Sequence, residues 1–144
     1  MSSYPPVGEI FELTLTKDQC DGMKMVRNLV RDPKYWRYNS QKLTAGSTAK
    51  FKLVKSGFCD NFQEAADRLK EHGEIPAGQW LQAFKAAYPE PDGSYPVGVA
   101  DCSWEGPGLG AFARFPYLSS DGVMGFIWPG SRLGEYWRWL VLCK

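Results

Sequence analysis

Apolar positions recur along this chain with two different periods, and the change between them outlines its architecture. From residue 9 to 15, Phe11, Leu13 and Leu15 alternate with Glu12 and Thr14, the pattern of a strand buried on one face. Thr16 then offers a helix cap. Gln19, three residues on, completes a capping-box pattern, with Asp18 and Asp21 near the positive end of the helix dipole. Cys20, Met23, Val26, Leu29 and Val30 follow at helical spacing and are expected to face the core until Pro33 stops the helix. Residues 50–55 alternate again, with Phe51 and Leu53 inward and Lys50 and Lys52 outward. Asp60 or Asn61 caps a second predicted helix, in which Phe62, Ala65, Ala66 and Leu69 share one face and Gly73 suits a left-handed end. Pro76 suits the first turn of a third, carrying Trp80, Ala83, Phe84, Ala87 and Tyr88 before Pro89 ends it.

Beyond Pro89 the period falls to two and glycines become frequent. Residues 95–101, 111–118 and 123–128 read as strands, the last two joined by a hairpin turn at Ser120-Asp121-Gly122. In the closing stretch, 136–143, Trp137, Trp139, Val141 and Cys143 fall on one face and Tyr136, Arg138, Leu140 and Leu142 on the other. Both faces are apolar apart from Arg138, so this strand is expected inside a sheet and covered on both sides; the competing reading is an exposed aromatic strip. The expected fold is α+β, with about three helices packed on a mixed, mainly antiparallel sheet whose centre is the C-terminal strand. Residues 1–144 are expected to form a single compact domain, with an N-terminal α/β portion at about 9–88 and a C-terminal antiparallel portion at about 95–143.

Composition fits a soluble globular chain: 44% of the 144 residues are hydrophobic and 23% charged. No apolar run approaches bilayer length, and residues 1–6 lack a basic region followed by an apolar core. A membrane segment and a secretory signal are therefore not expected, and the expected location is cytoplasmic. The four cysteines, Cys20, Cys59, Cys102 and Cys143, are widely spaced, and His72 is the single histidine. That spacing argues against a metal centre, and no cofactor is expected. An even count permits two disulfides, but a chain of this size does not need them, so the thiols are expected reduced and mostly buried.

Charge changes the picture more than composition does. From Lys24 to Lys55 nine cations face one acid, Asp32, a local charge of +8 in a chain whose net charge is +1. From Asp60 to Glu105 nine acids outnumber Arg68, Lys70 and Lys85, for a local charge of −6. Such segregation points to an anionic partner, or to two segments that neutralise each other. Within the basic stretch, Lys34, Tyr35, Trp36, Arg37, Tyr38 and Lys42 interleave rings with cations, and Lys50 and Lys52 extend the set. Nucleic-acid binding needs that combination, cations for phosphates and flat rings for bases. The alternative is that the rings pin the loop to the core while the cations reach solvent. No RNP sequence, KH glycine loop or zinc finger accompanies the patch.

Catalytic patterns are sparse. A cysteine paired with His72 would be a nucleophile and base, but His72 falls in the last turn of a predicted helix, where it complements the dipole. Ser47-Thr48-Ala49-Lys50 matches S-x-x-K without the companion motifs. Gly106-Pro107-Gly108-Leu109-Gly110 lacks the lysine and hydroxyl ending of a phosphate loop. Asp101 and Glu105 flank Trp104, an arrangement that also suggests sugar stacking between two carboxylates.

The C-terminal part, with Trp104 and Trp128 among short glycine-rich strands and the ending Leu140-Val141-Leu142-Cys143-Lys144, resembles C-type-lectin-like domains. The resemblance implies that the first and last strands pair and that display loops bind diverse ligands. The family's calcium-binding E-P-N and W-N-D motifs are absent, so calcium-dependent sugar binding is not implied. The leading expectation is a non-enzymatic binding domain that engages an anionic macromolecule, nucleic acid or an acidic protein, through Lys34, Tyr35, Trp36, Arg37, Tyr38, Lys42, Lys50 and Lys52. Second is a protein-recognition or inhibitor-type domain using Trp104, Leu109 and Arg132 in the C-terminal loops; third is a small hydrolase. The number of copies in the assembly is left open.

Overall fold

The computed structural model describes residues 4–91, 95–107, 112–130 and 133–143. Its elements run β1 (Phe11–Thr14), α1 (Gly22–Leu29), β2 (Arg37–Tyr38), β3 (Thr48–Lys55), α2 (Phe62–Leu69), α3 (Trp80–Ala87), β4 (Val97–Gly98), β5 (Trp104–Gly106), β6 (Phe112–Leu118), β7 (Met124–Ile127) and β8 (Arg138–Leu142). The hydrogen-bonded order is β1-β3-β8-β4-β6-β5-β2, with β7 also on β6. All pairings are antiparallel except β4 with β8. The class is the expected α+β, and β8 is interior, held by β3 on one side and β4 on the other.

The alternation of β8 separates two cores. Leu140 joins Phe11, Leu13, Phe51, Leu53 and Val97 beneath Met25, Val26, Leu81 and Phe84 of α1 and α3. Trp139 and Val141 turn the other way, onto Val54 and Phe115 beneath Ala65, Ala66 and Leu69 of α2. Trp139, Leu140 and Val141 are each at most 1% exposed. Burial of one such large apolar side chain is worth about 1.5–3 kcal/mol, so this strand anchors both layers. The exposed-strip alternative fails for these three residues.

Local chemistry explains where the elements start. Asn61 Oδ1 accepts from the Glu64 N–H at 3.0 Å and caps α2, as its spacing indicates. The Thr16–Gln19 capping box does form, but it closes only a 3-10 turn over Lys17–Gln19. Asp21 then makes a second start, accepting from the Met23 N–H at 2.9 Å, so α1 begins later than expected. Met25 is the fully buried methionine of this helix, and Met23 packs partly buried against the same core. α3 begins at Trp80, after turns at Ala77 and Gly78, rather than at Pro76. Gly122, at φ +86°, makes the β6–β7 hairpin turn, and its N–H bonds the Ser119 carbonyl at 2.9 Å.

The strand expected over 95–101 is cut short by a bulge. β4 and β5 both pair with β6: Gly98 faces Tyr117 and Trp104 faces Arg114. Six positions separate Gly98 from Trp104, but three separate their partners, so the surplus is extruded at residues 99–103. Asp101 holds the extrusion by accepting from the Gly78 N–H at 2.7 Å and the Ser103 N–H at 3.1 Å. The first and last strands do not pair; β1 and β8 lie on opposite sides of β3.

Candidate functional site

The basic-aromatic segment forms an edge of the sheet. Asp32 caps a short turn at Pro33–Tyr35, and the chain then pairs with β5 through Arg37 opposite Glu105 and Tyr38 opposite Trp104. Alternation therefore sends Trp36 and Tyr38 one way and Arg37 the other. Trp36 packs on Phe126 with ring centroids 5.1 Å apart, and the Arg114 guanidinium lies 5.8 Å above it. Beneath its ring is Gly106, where an added Cβ would come within 3.0 Å. Tyr38 packs 4.9 Å from Trp104 and against Gly22. Its hydroxyl donates to the Gln41 carbonyl at 2.9 Å and accepts from the Gln79 amide. Burial pushes the Tyr38 phenol above its ordinary pKa, and the hydrogen bonds from Gln79 and Ser40 only partly oppose this.

Two of the three rings are thus anchors, and what they hold outward is charged. Tyr35 is 66% exposed, with the Lys34 ammonium 5.3 Å from its ring centre. Arg37 and Lys42 are exposed, and the loop carrying Lys42 is tied down by the Leu43 N–H to the Cys20 carbonyl at 3.0 Å. Lys50 and Lys52 lie on β3, and four strands stand between β3 and β2 in the hydrogen-bonded order. Lys50 is paired in register with Glu12 and Lys52 with Val141, so these two lysines belong to another part of the sheet.

Electrostatics separates this edge from the helices. The ion pairs among the described residues are Lys24–Asp18, Arg27–Asp21, Arg68–Glu64 and Lys70–Asp67, all local. Arg31, Lys34, Arg37, Lys42, Lys50, Lys52 and Lys55 make none among the described residues, so the basic and acidic stretches do not neutralise each other by contact. Even Glu105, opposite Arg37, instead accepts from the Asn39 amide at 2.8 Å.

The bulge adds a cleft beside this edge, which the hydropathy pattern does not reveal. Two recesses of about 290 and 420 Å³ share Phe62 and Cys102; Ser40, Asp101 and Ser103 line the first, and Ala113 the second. The only local signal for it is Asp101 followed two residues later by Ser103, an Asx-turn spacing. Burial, with the Asp101 charge adding to it, pushes the Cys102 thiol up to about 12, and no imidazole is among the cleft's lining residues. Cys20 and Cys59 are buried, and all four cysteines are free thiols.

Trp104 is a correction to the loop-display reading. It is fully buried, its indole N–H donates to the Gly22 carbonyl at 3.0 Å, and only a glycine at position 78 leaves room for its ring. The same burial removes sugar stacking between Asp101 and Glu105. Leu109 and Arg132 lie outside the described residues. No protein-family model, curated protein or solved structure matches the chain.

Proposed function

We propose that this protein is a non-catalytic binding domain that holds a single-stranded nucleic acid along its β2 edge. Lys34, Arg37 and Lys42 contact phosphates and the exposed ring of Tyr35 stacks on a base, while Trp36 and Tyr38 fix the backbone from behind. The observation that carries this reading is the absence of any ion pair to Lys34, Arg37 or Lys42 among the described residues, beside a ring that is 66% exposed. Unpaired cations on a braced edge gain affinity by releasing counterions from a polyanion, and stacking tolerates any base sequence.

The test is fluorescence anisotropy of a labelled single-stranded RNA, titrated at several salt concentrations. Three phosphate contacts predict a log–log salt slope of about −2, from roughly 0.7 per contact on a single strand. Failure to bind at low salt contradicts the reading and moves the partner to an acidic protein face. A second reading, protein recognition, draws on Phe58, Trp128 and Tyr136, each more than half exposed around the segment where Cys59 bridges to Leu133.

A further inference from the structure

The other unpaired cations include two that the fold forces together. Lys55 and Arg138 are directly opposite each other in the β3–β8 ladder, so their side chains leave the same face of the sheet. Like charges directly opposite destabilise an antiparallel pair, and neither residue has an ion pair among the described residues. Arg138 has little freedom to swing away. Its guanidinium carbon lies 4.1 Å from the ring centre of Tyr95, and its Nη1 donates to the Tyr136 carbonyl at 2.8 Å. Its Nε–H is buried without a hydrogen-bond partner. A pinned guanidinium with terminal N–H donors to spare, on the same sheet face as a lysine directly opposite it in the ladder, is an arrangement that an oxyanion relieves.

We infer that Lys55 and Arg138 form a binding site for a phosphate group, separate from the β2 edge. The planar fork of Arg138 takes two oxygens and the Lys55 ammonium a third, and the dianion cancels the repulsion built into the ladder. Tyr95 holds the guanidinium plane in place before the anion arrives.

Thermal unfolding of the full chain tests this with inorganic phosphate and O-phosphoserine, each against chloride at matched ionic strength. In saturating phosphate the wild type should gain about 3 °C or more in Tm. A rise with inorganic phosphate alone identifies a free anion as ligand, and a larger rise with O-phosphoserine identifies an esterified one. Lys55→Glu should raise Tm without any anion, because it turns the repulsive pair into an attractive one, and should abolish the phosphate response. The combined Lys34→Ala, Arg37→Ala, Lys42→Ala variant should keep that response in full. No phosphate-dependent shift in the wild type, or an equal shift in Lys55→Glu, overturns the inference.

Discussion

Two tetrapeptides in this chain are nearly the same, Tyr35-Trp36-Arg37-Tyr38 and Tyr136-Trp137-Arg138-Trp139, yet the fold treats them in opposite ways. In both the leading tyrosine is exposed, at 66% and 64%. After that they diverge. β2 is two residues long and, among the described residues, pairs with β5 alone, so Arg37 stays in solvent and Trp36 and Tyr38 are only half-buried. β8 has strands on both sides and a core on each face, so Trp139 is fully buried and stacks 5.3 Å from Trp137. Arg138 stands opposite Lys55 in the ladder and lies over the Tyr95 ring. The same residues become a solvent-facing rim at an edge and a structural spine in the interior; the number of strands alongside decides which.

The largest difference should come from truncating the rings. Trp139→Ala should cost roughly 3–5 kcal/mol in urea unfolding, the range for a large aromatic in a closed core. Trp36→Ala should cost about 1–2 kcal/mol, since its ring is only partly buried. Equal costs would erase the distinction between edge and interior.

Glycine substitutions sharpen the same contrast. An added Cβ at Gly98 would lie 2.9 Å from the Trp139 ring, and one at Gly106 would lie 3.0 Å from Trp36. Overpacking typically costs about 1–3 kcal/mol, and Gly98→Ala should fall at the upper end because Trp139 has no room to shift. Gly106→Ala should be milder, as Trp36 can move outward. Urea midpoints of the two variants measure this order directly.

These contrasts also show what the chain discloses on its own. The two-sided burial of β8 was legible because both of its faces are apolar, a pattern that arises only when packing partners exist on each side. Asn61 and the spacing of Phe62, Ala65, Ala66 and Leu69 disclosed α2, and Gly122 disclosed the last hairpin, since cap and turn chemistry is local. Trp104 was misread as a display residue because its burial depends on Gly78 and on the Gly22 carbonyl, both remote in sequence. The bulge at residues 99–103 was hidden for the same reason: Asp101 is held there by the Gly78 N–H. Lys50 and Lys52 were grouped with Lys34 and Arg37 by proximity in sequence, and sheet order separates them.

A smaller effect concerns alkaline pH. The Cys102 thiol rises from an ordinary 9.0 to about 12 on folding. Between those values the folded chain keeps a proton that the unfolded chain releases, so stability falls as pH climbs through the window and is unaffected below it. Cys102→Ala should make that decline shallower in urea unfolding repeated at increasing pH above 9.0. An unchanged slope would place the thiol in a more open setting than the cleft provides. The smallest effect belongs to the rim itself: Arg37→Ala should change stability by no more than about 0.5 kcal/mol, as for any unpaired surface cation.

The most direct test of the account compares single-stranded RNA affinity, by anisotropy at low salt, for wild type and two combined variants. One carries Lys34→Ala, Arg37→Ala and Lys42→Ala; the other carries Lys50→Ala and Lys52→Ala. The edge assignment predicts that the first loses most of the affinity and most of the salt dependence while the second keeps both. Equal losses in the two, or a first variant that binds as the wild type does, would contradict it.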